Sequence, residues 1–427
     1  MKSDAFNAFL DCPQAAVSNS ETGPLAGLSL AVKDIFDVAG YPSGWGNPVR
    51  LAEAGPAAES NSAVQRLFDA GARFAGKTQT EELAFSMLGQ NVHFPWPVNP
   101  AAPNRVTGGS SSGSAAAVAG GLADIATGSD TGGSIRAPAS FCGLIGLRTT
   151  HGAIPLDRTM PLAPSFDTFG WFAKDMATYR KVAEVLLGAS SPSPLWGGSG
   201  GEAGRGGGAP FPPPRPTGDP PHKGEGKAPT RPLSIPALDA LVVPACASEY
   251  RRMGRRGADV LGDPGIAPPS PFTLDELYWA MRKLQAREAW DAHGAWIASG
   301  DRKLGKAIHD RFAYGRTVTD DDVREETARR NAFRQWLGDL LGDDGVLVLP
   351  TVTDIAPRSD ASQEEFSTFR EASIRLLCWS GLSGFPQLTL PLGAVSGAPF
   401  GISLLGPKGS DLALLELGGL VLDHGEA

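Results

Sequence analysis

The chain has 427 residues and a mass of 44.4 kDa, room for one large domain or two or three ordinary ones, and its 41% apolar content can fill a sizeable core. A net charge of -8 and a pI near 5.4 leave no basic surplus to neutralise phosphates, so nucleic acid is not expected as a partner and small molecules fit better. Cys12, Cys142, Cys246 and Cys378 lie far apart without a CxxC pair, which excludes a metal-ligand pattern and a compact disulfide framework, and no run approaches the ~18 to 20 apolar residues of a membrane span.

From the N-terminus, Leu28, Leu30 and Val32 alternate at strand period and predict a buried strand that ends at Lys33. A lysine there either pairs structurally with Asp34 or Asp37 or acts as a base, depending on what lies near it in space. Val64, Leu67, Phe68 and Ala70 share one face of a helix over 61–71, residues 73–77 read as a short strand, and a further helix is expected over 80–87. Helix and strand in alternation suggest layered α/β structure. Glu81 and Glu82 read as a helix first turn, and His93 as an ordinary loop or core residue.

Residues 108–138, GGSSSGSAAAVAGGLADIATGSDTGGSIRAP, stand out. Two Gly/Ser-dense turns, 108–114 and 128–134, flank a small-residue segment and a short apolar run. Glycine lets the backbone adopt positive φ and lets another group approach the main chain closely. Successive N–H groups can then face one concavity, which for acyl chemistry is an oxyanion hole when a nucleophilic hydroxyl stands beside it. Ser134, directly after Thr131, Gly132 and Gly133, is placed to be that hydroxyl. A phosphate-cradling loop or plain turns would use the same residues, and the turns themselves supply no base.

Further on, residues 142–148 predict a buried strand, followed by a turn at His151 and Gly152. His151 is the histidine nearest the Gly/Ser turns, so a Ser-His-Asp arrangement has to be considered; the remaining histidines sit in no GxSxG or HExxH context. Residues 165–175 lead into a helix ending near 187. The stretch 190–231 is about half Gly plus Pro, with no hydrophobic period, and reads as a disordered linker inserted into one continuous domain spanning 1–427. Residues 236–244 contain a strand-like apolar run, and amphipathic helices are expected over 273–298 and 319–341, the second opened by Thr319 and Asp322 at capping-box spacing. Arg324, Arg329, Arg330 and Arg334 alternate with acids as a solvated face. Strands over 345–350, 384–391 and 398–406 and a helix over 411–422 complete the chain.

Taken together, AVKDIFD around Lys33, GGSSSGSAAAVAGG, and the 24 positions from Ser110 to Ser134 within GSDTGGSIRAPASFCGLIGLR resemble the amidase signature family. The likeness runs from about position 27 to 175 and resumes in GVLVLPT and GFPQLTLPLG. It implies an α/β fold with a large mixed sheet covered by helices on both faces. It also implies a Ser-Ser-Lys triad: Ser134 as nucleophile, Ser110 as the bridging serine after a cis peptide from Gly109, and Lys33 as base. The N–H groups of Thr131, Gly132, Gly133 and Ser134 would form the oxyanion hole, supported by Ser111, Asp130 and Arg136. No cofactor or metal is implied, and a cytoplasmic monomer or homodimer acting on a small-molecule amide is expected, with no membrane or nucleic-acid partner.

Within the family, VKDIFDVAGYPSGWGNP, TEELAFSMLGQN and SFDTFGWFAKD are similar to indole-3-acetamide hydrolases of the plant type. That likeness implies a primary amide on an aryl or apolar acyl group, with Phe85, Trp45 or Trp379 as pocket walls unless each is simply core packing. Three other members of the family remain as alternatives: a glutaminase subunit of a tRNA-dependent amidotransferase, a ureide or biuret-type hydrolase, and a catalytically silent scaffold of the kind found in a chloroplast import receptor.

Overall fold

Among the described residues ten strands form one mixed sheet: β1 (Ser29–Lys33), β2 (Arg73–Thr78), β3 (Ile125–Ser129), β4 (Ile145–Arg148), β5 (Phe169–Ala173), β6 (Arg231–Ser234), β7 (Gly265–Ile266), β8 (Gly345–Pro350), β9 (Gln387–Val395) and β10 (Ala398–Leu405). Their order across the sheet is β2-β1-β3-β5-β4-β9-β10-β8-β6-β7. In this computed structural model the described residues are 4–12, 15–188 and 229–424. Most of the expected linker, 190–231, lies outside them, although Arg231 already opens β6.

Side-chain alternation along the strands divides the core. Leu30, Val32, Ile125, Trp171 and Ala173 join the larger apolar cluster, whereas their neighbours Ala31, Ala126 and Phe172 join a second cluster with Ala115, Ala116, Ile135 and Ala139. Successive residues of a strand point to opposite faces, so the sheet is covered on both. The small residues of the helix Ser112–Ala119 fit the second face, where they let that helix lie close to β1, β2 and β3. Parallel pairing of β1 with β2 and β3 brings three strand C-termini to one edge, where sites form in α/β sheets. A helical layer, Leu274–Ala298, Lys306–Thr317, Asp320–Leu341 and Gln363–Ser383, packs mutually, and the first and last of these helices meet Gly132 and Ser134 just beyond the end of β3.

Some expected elements take another form. Residues 80–87 hold only a 3-10 turn, Glu82–Ala84, because Leu83 and Ala84 adopt positive φ. Both glutamates there are buried rather than helix-tip charges: Glu81 accepts from the N–H groups of Leu88 and Gln90, and Glu82 binds Asn47, His93 and the Gly305 N–H. Cys142 ends the helix Arg136–Cys142 instead of starting a strand, with Gly143 at left-handed φ turning the chain into β4. β5 falls within the segment read only as a helix lead-in. The apolar run at 236–244 is not a strand, since Pro236 and Pro244 each start a short helical turn. Nor is Arg330 solvated: it donates to the carbonyls of Leu382 and Ser165 and lies over the Phe166 ring. The capping box expected at Thr319 forms, and Thr273 makes another with Glu276.

Candidate active site

Lys33 ends β1 fully buried, and its backbone N–H is fixed by the Thr127 hydroxyl of β3. Its Nζ reaches three hydroxyls: Ser110 Oγ at 2.8 Å, Ser129 Oγ at 2.9 Å and Ser111 Oγ at 3.0 Å. Burial pushes the Lys33 ammonium down from 10.5 to about 7, against the opposing pull of the Glu81, Asp130 and Asp167 carboxylates. Asp34, a possible structural partner, pairs instead with Lys77. Among the described residues Lys33 has no direct carboxylate partner.

The two Gly/Ser turns deliver the hydroxyls. Ser110 follows a cis peptide from Gly109, and Ser111 stands at the N-terminal boundary of the helix Ser112–Ala119 without a side-chain capping bond, its hydroxyl turned to Lys33 instead. No side chain is tolerated at Gly109, where a Cβ would lie 2.1 Å from Glu81 Oε2. In the second turn Gly133 takes φ +123, and a Cβ there would lie 2.5 Å from Leu377. Ser134, 4% exposed, makes no side-chain hydrogen bond among the described residues and lines a narrow recess with Gly132, Phe85, Met281 and Arg370.

Asp130 organises the second turn. Its carboxylate receives Arg136 Nε and Nη2 at 3.0 and 2.9 Å, Arg148 Nη1 at 3.2 Å and the Gly133 N–H at 2.8 Å. Burial alone would raise that carboxyl; the two arginines and the amide outweigh it and hold it well below the usual carboxylate range. The Gly133 amide is thereby occupied. Of the four N–H groups expected to line an oxyanion hole, those of Thr131, Gly132 and Ser134 donate to no described residue. Asp130→Asn should lower stability by about 3 to 5 kcal/mol, because it leaves two buried guanidiniums short of charge. Chemical denaturation measures this directly, and an unchanged midpoint would contradict the role given to Asp130.

Other expected residues lie elsewhere. His151 donates to the Pro164 carbonyl at 2.9 Å, and burial lowers its pKa to about 4; it has no contact with Ser134. Trp379 packs edge-on against Phe333 and Trp336, and Trp45 lies under Arg50 beside His293, so of the three aromatics only Phe85 lines the recess. Sequence reading passed over Ser129, Arg148 and Arg370. Ser129 carried a local signal, a hydroxyl at the end of the strand beside β1, whereas the two arginines reach the site through tertiary packing alone.

A second cavity of about 240 Å³ adjoins the first, with Ala84 on the wall of both. Ile35, Leu156, Met160 and Leu162 make it apolar, and Ser129, Thr131 and Asp167 close its polar end. Among the described residues no cluster of His, Cys, Asp and Glu could hold a metal ion.

The family profile described as Amidase matches residues 8–195. Amidase 1 of Arabidopsis thaliana is 35% identical over 96% of this chain and 97% of its own length. The chloroplastic outer envelope protein 64 of the same plant is 33% identical over 96% of this chain and 69% of its own. A crystal structure of an amidase superposes with a TM-score of 0.77 at 27% identity, covering 94% of this chain and 85% of the other. Agreement over nearly the whole length in both sequence and fold leads to one conclusion: this chain belongs to the amidase signature family and is an amide hydrolase.

Proposed function

We propose that the chain hydrolyses a primary amide of an aryl or apolar acyl group to the acid and ammonia, through Ser134, Ser110 and Lys33. The observation that carries this is the 2.8 Å contact between Lys33 Nζ and Ser110 Oγ in a fully buried setting. A neutral amine has two N–H donors and one lone pair, so it can donate to two of its three hydroxyl neighbours and accept from the third. With Ser110 as that third, its own oxygen is free to accept the Ser134 proton.

An unassisted serine hydroxyl is a poor nucleophile, so its proton must leave as the bond to the carbonyl carbon forms. Ser134 Oγ attacks, its proton passes to Ser110, and the Ser110 proton passes to Lys33. Negative charge collects on the carbonyl oxygen, which the free N–H groups of Thr131, Gly132 and Ser134 would receive; losing one such donor typically costs ~10² to 10³ in rate. The Lys33 ammonium returns its proton through Ser110 to the amide nitrogen, and ammonia departs. Water then enters by the same relay, releases the acid and restores Ser134.

The 240 Å³ apolar cavity beside Ser129 and Thr131 favours a hydrophobic acyl body, and its volume suits a bicyclic ring. Ammonia release should therefore be fastest with indole-3-acetamide or phenylacetamide in a panel that also contains glutamine and biuret. Turnover of glutamine or biuret alone would overturn the aryl-amide reading.

A further inference from the structure

The recess at Ser134 is lined mainly by hydrogen-bond donors. Arg282 and Arg370 stand on its wall beside Gly132 and Ser134, whose N–H groups are unengaged. Ser86, also on the wall, gives its hydroxyl to the Glu81 carboxylate. Apart from the nucleophile itself, one side-chain oxygen acceptor is left on the wall among the described residues, that of Gln285. Gln285 lies on the helix Leu274–Ala298 one turn after Met281, and the two share the helix face set over Gly132. A Cβ on Gly132 would meet Met281 Cε at 3.1 Å and Gln285 Nε2 at 3.3 Å, so the carboxamide lies directly against the turn that carries Ser134. Gln285 is 8% exposed and makes no hydrogen bond with any described residue, yet its polar atoms remain accessible from the recess it lines. A carboxamide withdrawn from bulk water and left unbonded is costly, which points to a ligand group that completes it.

Size and polarity say which group. The recess is about 20 Å³, room for one water-sized group, and an amide –NH2 or a departing ammonia is of that size. An N-alkyl chain is not. The adjoining apolar cavity of about 240 Å³ takes the acyl body, so the two compartments divide the substrate at its scissile bond. A primary amide accepts hydrogen bonds at its oxygen and donates them at its nitrogen. Guanidiniums and backbone N–H groups can serve only the oxygen. The nitrogen needs an acceptor, and Gln285 Oε1 is the one available. Arg282 and Arg370 also disfavour a further cation in the same recess, so the nitrogen leaves as neutral ammonia.

We propose that the recess is the leaving-group site and that Gln285 selects for an amide there, its Oε1 accepting an N–H of the substrate's –NH2 group as Ser134 attacks. This rests on the amide-hydrolase reading and assigns the preference for a primary amide to one side chain. No bond forms or breaks at Gln285. An ester of the same acid places an oxygen in the recess, which has no hydrogen to give and leaves Oε1 unpaired.

Phenylacetamide and methyl phenylacetate share their acyl body and differ at this contact. Gln285→Met keeps the bulk and removes the acceptor. It should lower kcat/KM for the amide by about 10- to 100-fold, the scale of one hydrogen bond lost in a buried site, and leave that for the ester within about twofold. Melting temperature should hold, since no hydrogen bond of the resting protein is removed. Gln285→Ala, which requires no packing fit, should show the same selective loss and, by opening the recess, raise turnover of N-methylphenylacetamide relative to phenylacetamide. An ester loss as large as the amide loss, or amide turnover that stays at the wild-type level in the variants, overturns the proposal. Where another primary amide releases ammonia faster, that amide and its methyl ester form the pair, so the role of Gln285 and the aryl-amide reading fail on different measurements. The relay reading fails separately, through retained turnover in Ser134→Ala.

Discussion

Ser134→Ala will lower kcat for amide hydrolysis by roughly 10⁴- to 10⁶-fold, the range lost when a nucleophilic serine is removed from a relay that works as a unit. The fold should not notice. The Ser134 hydroxyl has no hydrogen-bond partner among the described residues, and the backbone of its turn is held by Asp130 through the N–H groups of Gly133, Ile135 and Arg136. Melting temperature is therefore expected to stay at the wild-type value while ammonia release disappears. The pairing of those two results is diagnostic, because a residue that merely supported the recess would lose stability together with rate. A variant that retains wild-type turnover removes Ser134 from the nucleophile's role, and with it the sequence of steps from Ser110 to Lys33. Ser110→Ala offers an internal check: it removes the relay and one of the three hydroxyls on Lys33 Nζ, so it should cost both activity and some stability.

Which parts of this site are legible in the sequence follows from the range of the interactions that make it. A hydroxyl beside glycines is a local pattern, so Ser110, Ser111 and Ser134 can be singled out before any fold is known. Lys33 is visible as the end of an apolar alternation, but its value as a base depends on a contact 77 positions away, and only the family resemblance connects the two. The sheet is similarly divided. The strand 73–77 and the fully apolar run at 345–350 are read from composition, and the structure extends the first by one residue and buries all of the second. β5 escapes because Phe169–Ala173 is short and merges into the helix that follows, and the long helix Gln363–Ser383 is masked by its mixed apolar and polar faces. Residues 80–87 mislead for a physical reason: helix-forming side chains are present, but Glu81 and Glu82 give their carboxylates to distant backbone N–H groups, and the chain just after them, at Leu83 and Ala84, turns through positive φ instead. Gln285 leaves no trace in its own segment. Its meaning comes from Gly132, Ser134 and Arg370 arriving around it from two other parts of the chain.

Lys33→Met tests the base, and here the pH dependence carries more than the rate alone. General-base assistance is worth about 10² to 10⁴, so the variant should retain only a small fraction of wild-type kcat/KM. For the wild type, only the neutral amine can take the proton. With the ammonium at about 7, kcat/KM should fall tenfold per pH unit on the acid side of neutrality and level off above it. In the variant that acid limb should vanish, leaving a low and flat profile. Stability follows the same group with a definite sign. The folded pKa is below the unfolded value of ~10.4, so between about 7 and ~10.4 the unfolded chain binds the extra proton and wild-type stability rises with pH. The penalty of burying the ammonium is at its full size below about 7 and vanishes above ~10.4. Methionine carries no such penalty, and the difference in melting temperature between variant and wild type should be most favourable to the variant under acid conditions and shift toward the wild type as pH rises. A wild-type acid limb centred near the ordinary carboxylate range, or one that survives Lys33→Met, would assign the titrating base to another group. Asp167 and Glu81 would be next to test, since burial raises both of their carboxyls and both act on Lys33.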